Sequence, residues 1–205
     1  MTDKRRYKNE FINLIFGPLF GLISVIVYFS GIIIAFILYS GFDFNNMISW
    51  LGGENSPGSI FFNLGVILSG ILAVPLYIHI DRRLRKEKGN NNLKRIAISS
   101  ALISCMLFSL IGAFPSSSYN ILSYYLHGIF FLICMITAIS YLLIFSVIFF
   151  HSDQFPRALS YLGFLVIIVI ILFLFTWIPL IEWIMTFTIG VWILSISIYL
   201  LIKVS

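Results

Sequence analysis

The chain has 205 residues, of which 60% are hydrophobic and only 10% are charged. Water-soluble domains carry roughly 25% charged residues, so this composition excludes an ordinary soluble domain. The net charge of +5 does not indicate nucleic-acid binding, because the basic residues occupy connections between apolar stretches and suit loops that face anionic lipid.

Six apolar stretches follow one another along the chain. Each is predicted to be a transmembrane helix, because a helix satisfies its own backbone hydrogen bonds in lipid. The first exceeds the roughly 20 residues that cross a bilayer, and Pro18 near its start predicts a kink. The sequence therefore predicts an all-α bundle that forms a single membrane domain of residues 1–205. The predicted spans are at about residues 12–39, 57–80, 93–114, 120–149, 158–178 and 181–202.

Small residues four positions apart recur in these spans, a spacing that lets two helix backbones approach closely. They predict helix contacts within the bundle, and they would also suit a homo- or hetero-oligomer. Gly128 is predicted to allow another helix to come close in the same way. The pairs are Gly17 with Gly21, Gly31 with Ala35, and Gly65 with Ser69.

All 13 Lys and Arg residues fall on alternate connections between the stretches. Positive charge in short loops is typical of the cytoplasmic side, so both termini of a multi-pass cell-membrane protein are predicted to be cytoplasmic. Residues 40–56 and 114–119 and the turn around 178–180 are then predicted to lie outside. The connection at 82–95 is the most basic, and its main role is predicted to be orientation. Five of its residues are also predicted to contact anionic lipid: Arg82, Arg83, Arg85, Lys86 and Arg95.

The outside connection before the second span is rich in glycine, which permits tight backbone turns. We expect a compact loop that returns to the membrane surface. Ser56 is predicted to cap the second helix, with Pro57 as its first residue. Asn63 would then lie roughly 9 Å below the helix start, where an amide must face another helix or a wet cavity.

Several short motifs carry a family resemblance. They are Ser49-x-Leu51-Gly52, Pro57-Gly58, Phe62-Asn63, Gly112-x-Phe114-Pro115 and His127-Gly128. Over about residues 15–200 the chain resembles the domain-of-unknown-function family 998, six-helix membrane proteins common in archaea and bacteria. More distantly, it is similar to the six-helix family that contains the Frag, DRAM and Sfk proteins. The resemblance implies a six-helix bundle with a shared outer site but no established reaction, and the distant relatives suggest lipid handling or membrane signalling.

Four polar residues are predicted to line a ligand-binding pocket open to the outer leaflet: Glu54, Asn55, Asn63 and His127. His127 would act there as a proton carrier or as a ligand for a lipid headgroup. The alternative is that His127 donates a hydrogen bond to a loop carbonyl and seals the turn at Phe114–Pro115. Glu54 has an alternative too, as a solvated loop carboxylate.

The remaining polar residues predict no metal site and no cofactor. His79-x-Asp81 and His151-x-Asp153 together offer four potential ligands. A simpler interpretation is that the histidines favour helix C-termini and the aspartates pair with nearby arginines. Asp43 and Glu182 are predicted to be solvated loop carboxylates. With no charge between the helix ends, an ion-coupled transporter is disfavoured.

These features predict a non-enzymatic membrane protein that binds a membrane lipid or a partner helix through the outer pocket. The alternative is a lipid-modifying enzyme that uses His127 as acid and base beside Glu54.

Overall fold

The computed structural model describes residues 3–86, 89–116 and 120–203, with side chains described from Ile15 onwards. Six long α-helices and one short 3₁₀ helix, η1, account for most of these residues. The predicted all-α fold is confirmed, and all six helices are long and apolar enough to cross a membrane. The elements are α1 (Asp3–Leu38), η1 (Ile48–Gly52), α2 (Ser59–Leu84), α3 (Asn91–Ala113), α4 (Ile121–His151), α5 (Arg157–Thr176) and α6 (Pro179–Ile202).

The helix ends differ from the predicted spans where a helix continues beyond its apolar stretch. α1 begins at Asp3 rather than near residue 12, and α2 runs on to Leu84 rather than residue 80. Hydropathy marks where the apolar side chains stop, whereas a helix continues as long as its backbone hydrogen bonds do. The start of α2 also corrects the capping prediction. Gly58 is its N-cap, and the buried Ser56 hydroxyl has no hydrogen-bond partner among the described residues.

The helices form a closed ring. Each packs against its neighbours in the sequence, and α6 packs against α1. Because the chain reverses direction at each connection, two ends of the ring are defined. The η1 end contains η1 and the N-termini of α2, α4 and α6. The basic end contains the opposite helix termini and every Lys and Arg whose side chain the structure describes.

Small residues bring α1 and α2 into close contact near the η1 end. A Cβ atom on Gly31 would lie only 2.7 Å from the carbonyl oxygen of Phe61 and 3.2 Å from the Cα of Gly65. Ala35, one turn further along α1, is fully buried against Gly58. The predicted helix contacts at these positions are confirmed within one chain. The prediction for Gly128 is wrong, since no described atom lies within 4 Å of the place its Cβ would occupy.

This difference between two helical glycines is testable with the same substitution. We expect Gly31→Ala to destabilise the protein by about 1–3 kcal/mol, because the added methyl group forces two helix backbones apart. Gly128→Ala is the matched control, and it should leave stability unchanged or slightly raised, since alanine favours the helix. Thermal unfolding in detergent compares the two. Equal melting temperatures would contradict the close approach of α1 and α2.

Candidate functional site: a cavity within the helix ring

A cavity of about 130 Å³ lies inside the ring, lined by η1 and by every helix except α5. It is long and narrow. On α2 its lining residues run from Phe62 to Tyr77, which corresponds to about 22 Å along the helix axis. The cavity therefore extends from the η1 end into the middle of the bundle.

Most of the cavity wall is apolar, and its polar groups include two sets that lie at opposite ends. Ser49, His127 and Glu182 lie at the η1 end. At the other extreme, the hydroxyl groups of Tyr77 and Tyr141 lie 3.2 Å apart and hydrogen-bond to each other. Such a lining suits an amphiphile better than a water-filled path for ions.

Glu182 is the acidic residue of this cavity. The prediction of a solvated loop carboxylate is wrong, because α6 begins at Pro179 and the side chain points into the ring with 4% of its surface exposed. Its Oε2 atom accepts a hydrogen bond of 2.7 Å from the backbone N–H of Ile48. The backbone and side chain of Ser49 also hydrogen-bond to the carboxyl group. A carboxylate at the first turn of a helix is further stabilised by the helix dipole.

These hydrogen bonds hold η1 across the end of the ring. Ile48 and Leu51, one turn apart within η1, are buried against the ring. Two more contacts fix the same segment: the Trp183 indole N–H donates to the carbonyl of Asn46 at 3.1 Å, and the Asn63 amide donates to the carbonyl of Gly52 at 2.9 Å. The compact loop expected from the glycines is therefore a cover over the cavity.

His127 contacts both the cavity and the neighbouring turn. Its Nδ1 atom lies 2.9 Å from the carbonyl oxygen of Phe114. A carbonyl can only accept, so Nδ1 carries the proton. The backbone of Ile111 also hydrogen-bonds to the imidazole. The sequence left two alternatives for His127, a contact that seals the turn at Phe114–Pro115 and a position in a pocket. In the structure His127 has both.

A family comparison covers this entire arrangement. A profile described as "Protein of unknown function (DUF998)" matches residues 22–199. The chain belongs to the DUF998 family. The match includes part or all of each helix, so both the ring and its cavity lie within the DUF998 region. Comparison with curated proteins gave no match, and comparison with solved structures gave none. The distant resemblance to the Frag, DRAM and Sfk proteins stays a prediction.

The four predicted pocket residues of this DUF998 protein do not come together. His127 lines the cavity, whereas Asn63 lies behind η1 and bonds to Gly52. Glu54 and Asn55 are exposed in the loop and do not line the cavity. The carboxyl group that shares a cavity with His127 is Glu182, which corrects the pairing with Glu54. Residue spacing could not show this pairing. His127 lies on α4 and Glu182 on α6, and sequence spacing alone does not fix how two separate helices face each other.

At the basic end, the five residues predicted to contact anionic lipid differ in exposure. Arg82, Arg85, Lys86 and Arg95 are exposed, and Arg83 is half-buried. The Arg85 Nε atom lies 2.8 Å from Asp81, as expected of an aspartate beside arginines. Their contact with lipid stays a prediction.

The two His-x-Asp motifs lie at this end as well. His79 is buried in α2, whereas His151 is exposed at the end of α4, where it contacts the Val147 carbonyl. The described residues contain no group of three or more His, Cys, Asp or Glu that could hold a metal.

Glu182→Ala tests whether the carboxyl group holds η1 in place. The substitution leaves the buried N–H of Ile48 without an acceptor, which should cost about 1–3 kcal/mol and speed hydrogen exchange at that amide. Glu182→Gln keeps an oxygen acceptor and should lose less. Glu54→Ala removes an exposed carboxylate and serves as the control. Similar exchange at Ile48 in Glu182→Ala and Glu54→Ala would contradict the assignment.

Proposed function

We propose that this DUF998 protein binds a single lipid molecule inside the helix ring. The hydrocarbon chain would lie along the apolar walls, and the polar head would meet Glu182, His127 and Ser49. The observation that carries the proposal is a narrow, largely apolar cavity inside the ring, with Glu182 and His127 at one end. Pockets that bind small molecules have this composition, with few polar groups placed to fix the ligand's orientation.

The size of the cavity favours a lipid chain over a partner helix. Its volume of about 130 Å³ is similar to that of a cavity of ~150 Å³ that holds one benzene molecule, so it has room for a short stretch of a single hydrocarbon chain. An α-helix with its side chains is about 10–12 Å wide and would need the ring to open. A partner helix would therefore have to bind on the outer surface of the ring rather than in the pocket.

The charge distribution indicates how the protein is oriented in the membrane. With the basic end in the cytoplasm, the η1 end faces outward and the cavity takes its ligand from the outer leaflet. The exposed basic residues of the 82–95 connection would meanwhile contact anionic lipid of the inner leaflet.

A lipid-modifying enzyme is the second candidate, favoured by the presence of His127 and Glu182 in one cavity. General acid–base catalysis requires both groups to reach the reacting atoms, within about 2.6–3.2 Å or through one water. Incubation of the purified protein with the lipid it carries separates the two functions. Binding leaves the lipid's mass unchanged, and catalysis converts it to a product whose formation is lost in His127→Gln.

Filling the cavity should prevent binding. Ala138 is buried and lines the cavity, so Ala138→Leu adds three carbon atoms where the chain would lie. We expect native mass spectrometry to find lipid on the wild-type protein and little on this variant. Ala158→Leu, at an exposed position on α5, is the matched control and should retain the lipid. Equal lipid occupancy in the two variants would contradict binding within the ring.

The orientation is tested with cysteines at two exposed positions. Native Cys105 and Cys134 are buried, so a membrane-impermeant maleimide should report mainly on an introduced cysteine. On intact cells we expect Glu54→Cys to be labelled and Lys86→Cys to be protected, with both labelled after permeabilisation. Labelling of both in intact cells would contradict the assignment of the η1 end to the outside.

A further inference from the structure

The charges around the cavity restrict the kind of head that it can hold. None of the described lining residues is Lys or Arg. Every Lys and Arg with a described side chain lies at the basic end of the ring, far from η1. A phosphate or carboxylate head would meet the Glu182 carboxyl group with no cation to offset the repulsion. A second buried negative charge beside this carboxyl group would therefore be strongly disfavoured.

Glu182 has hydrogen-bonding capacity left for a ligand. An ionised carboxyl group offers about four acceptor positions. The structure gives it three protein donors, namely the N–H of Ile48 and the N–H and hydroxyl of Ser49. No Lys or Arg lines the cavity beside it, so its partners are these donors and the N-terminus of α6.

His127, in its neutral form, also presents a hydrogen-bond acceptor. Since its Nδ1–H donates to Phe114, the Nε2 atom of the neutral ring accepts. A ligand head that reaches Glu182 therefore meets a hydrogen-bond acceptor, and His127 lines the same cavity with its Nδ1–H already donated to Phe114.

We infer that the bound lipid has one hydrocarbon chain and a protonated primary amine as its head. The inference rests on the proposed function and specifies its ligand. An ammonium group supplies one positive charge and three N–H donors, which suits the carboxyl group of Glu182. A cavity of about 130 Å³ has room for part of one hydrocarbon chain and not for two chains side by side, so a two-chain phospholipid does not fit.

Four probes with the same 16-carbon chain test the head directly: hexadecylamine, hexadecanol, hexadecanoate and hexadecyl phosphate. Binding to the full-length, delipidated protein in detergent is measured by native mass spectrometry and by displacement of its endogenous lipid. We expect the amine to bind about tenfold more tightly than the alcohol, because hydrogen bonds between charged groups are stronger than neutral ones. The two anions should bind more weakly than the alcohol.

Glu182→Gln removes the negative charge while keeping the shape of the side chain. In this variant the preference for amine over alcohol should disappear, with little change for the alcohol. Glu54→Gln makes the same charge change in the exposed loop and should keep the preference. Ala138→Leu should abolish binding of the amine, which separates the cavity from non-specific adsorption of a cationic amphiphile to the surface.

The outcomes separate the proposed function, lipid binding, from the inference about the head group. If none of the four probes binds and no lipid copurifies, the proposed function fails. If the probes bind but an anion equals or exceeds the amine, the inference about the head is overturned and lipid binding stands. Survival of the amine preference in Glu182→Gln overturns it as well. Should that variant fail to fold, the ranking of the four probes on the wild-type protein decides alone.

Discussion

The carboxyl group of Glu182 lies inside an apolar helix ring, where an unsatisfied polar group costs several kcal/mol. The chain meets this requirement with backbone donors from η1 rather than with a basic side chain. The hydrogen bonds have a structural consequence, because they hold residues 48–49 over the end of the ring. Asn63 from α2 and Trp183 from α6 fix the same segment from two sides. η1 lies over this end of the cavity because the buried acid takes its hydrogen-bond donors from it.

Small side chains explain both the close contacts between neighbouring helices and the space left in the centre of the ring. Gly31 and Gly65 bring α1 and α2 into backbone contact, which is the close packing that membrane helices use without a hydrophobic driving force. Ala73 and Ala138 face inward instead and leave space between the helices. The resulting interior is apolar along most of its length and acidic at one end. That combination favours an amphiphile with a donor head, since water would gain few hydrogen bonds along the apolar walls.

The sequence predicted those parts of the fold that depend on local composition. Apolar length gave six helices, and the contact between Gly31 and the α2 backbone followed from small residues at helical spacing. Prediction from the sequence failed where distant segments of the chain meet. Glu182 looks solvated when judged by its nearness to a turn, and only the position of η1, more than a hundred residues earlier in the chain, buries it. Gly128 shows the converse error, because a small residue permits a helix contact without requiring one.

For the candidate site, His127 lines a cavity and contacts a backbone carbonyl, as expected of an ionisable side chain that must face a polar partner inside a membrane helix, and its role in binding a ligand stays a prediction. Its carboxylate companion was misassigned to Glu54, since loop geometry cannot be worked out from glycine content alone. The most direct measurement of the whole account is electron cryo-microscopy of the protein in lipid nanodiscs. The account predicts η1 closed over the ring, with a single tube of density running from Glu182 towards Tyr77 and Tyr141. An empty cavity, or η1 displaced with Glu182 open to water, would contradict it.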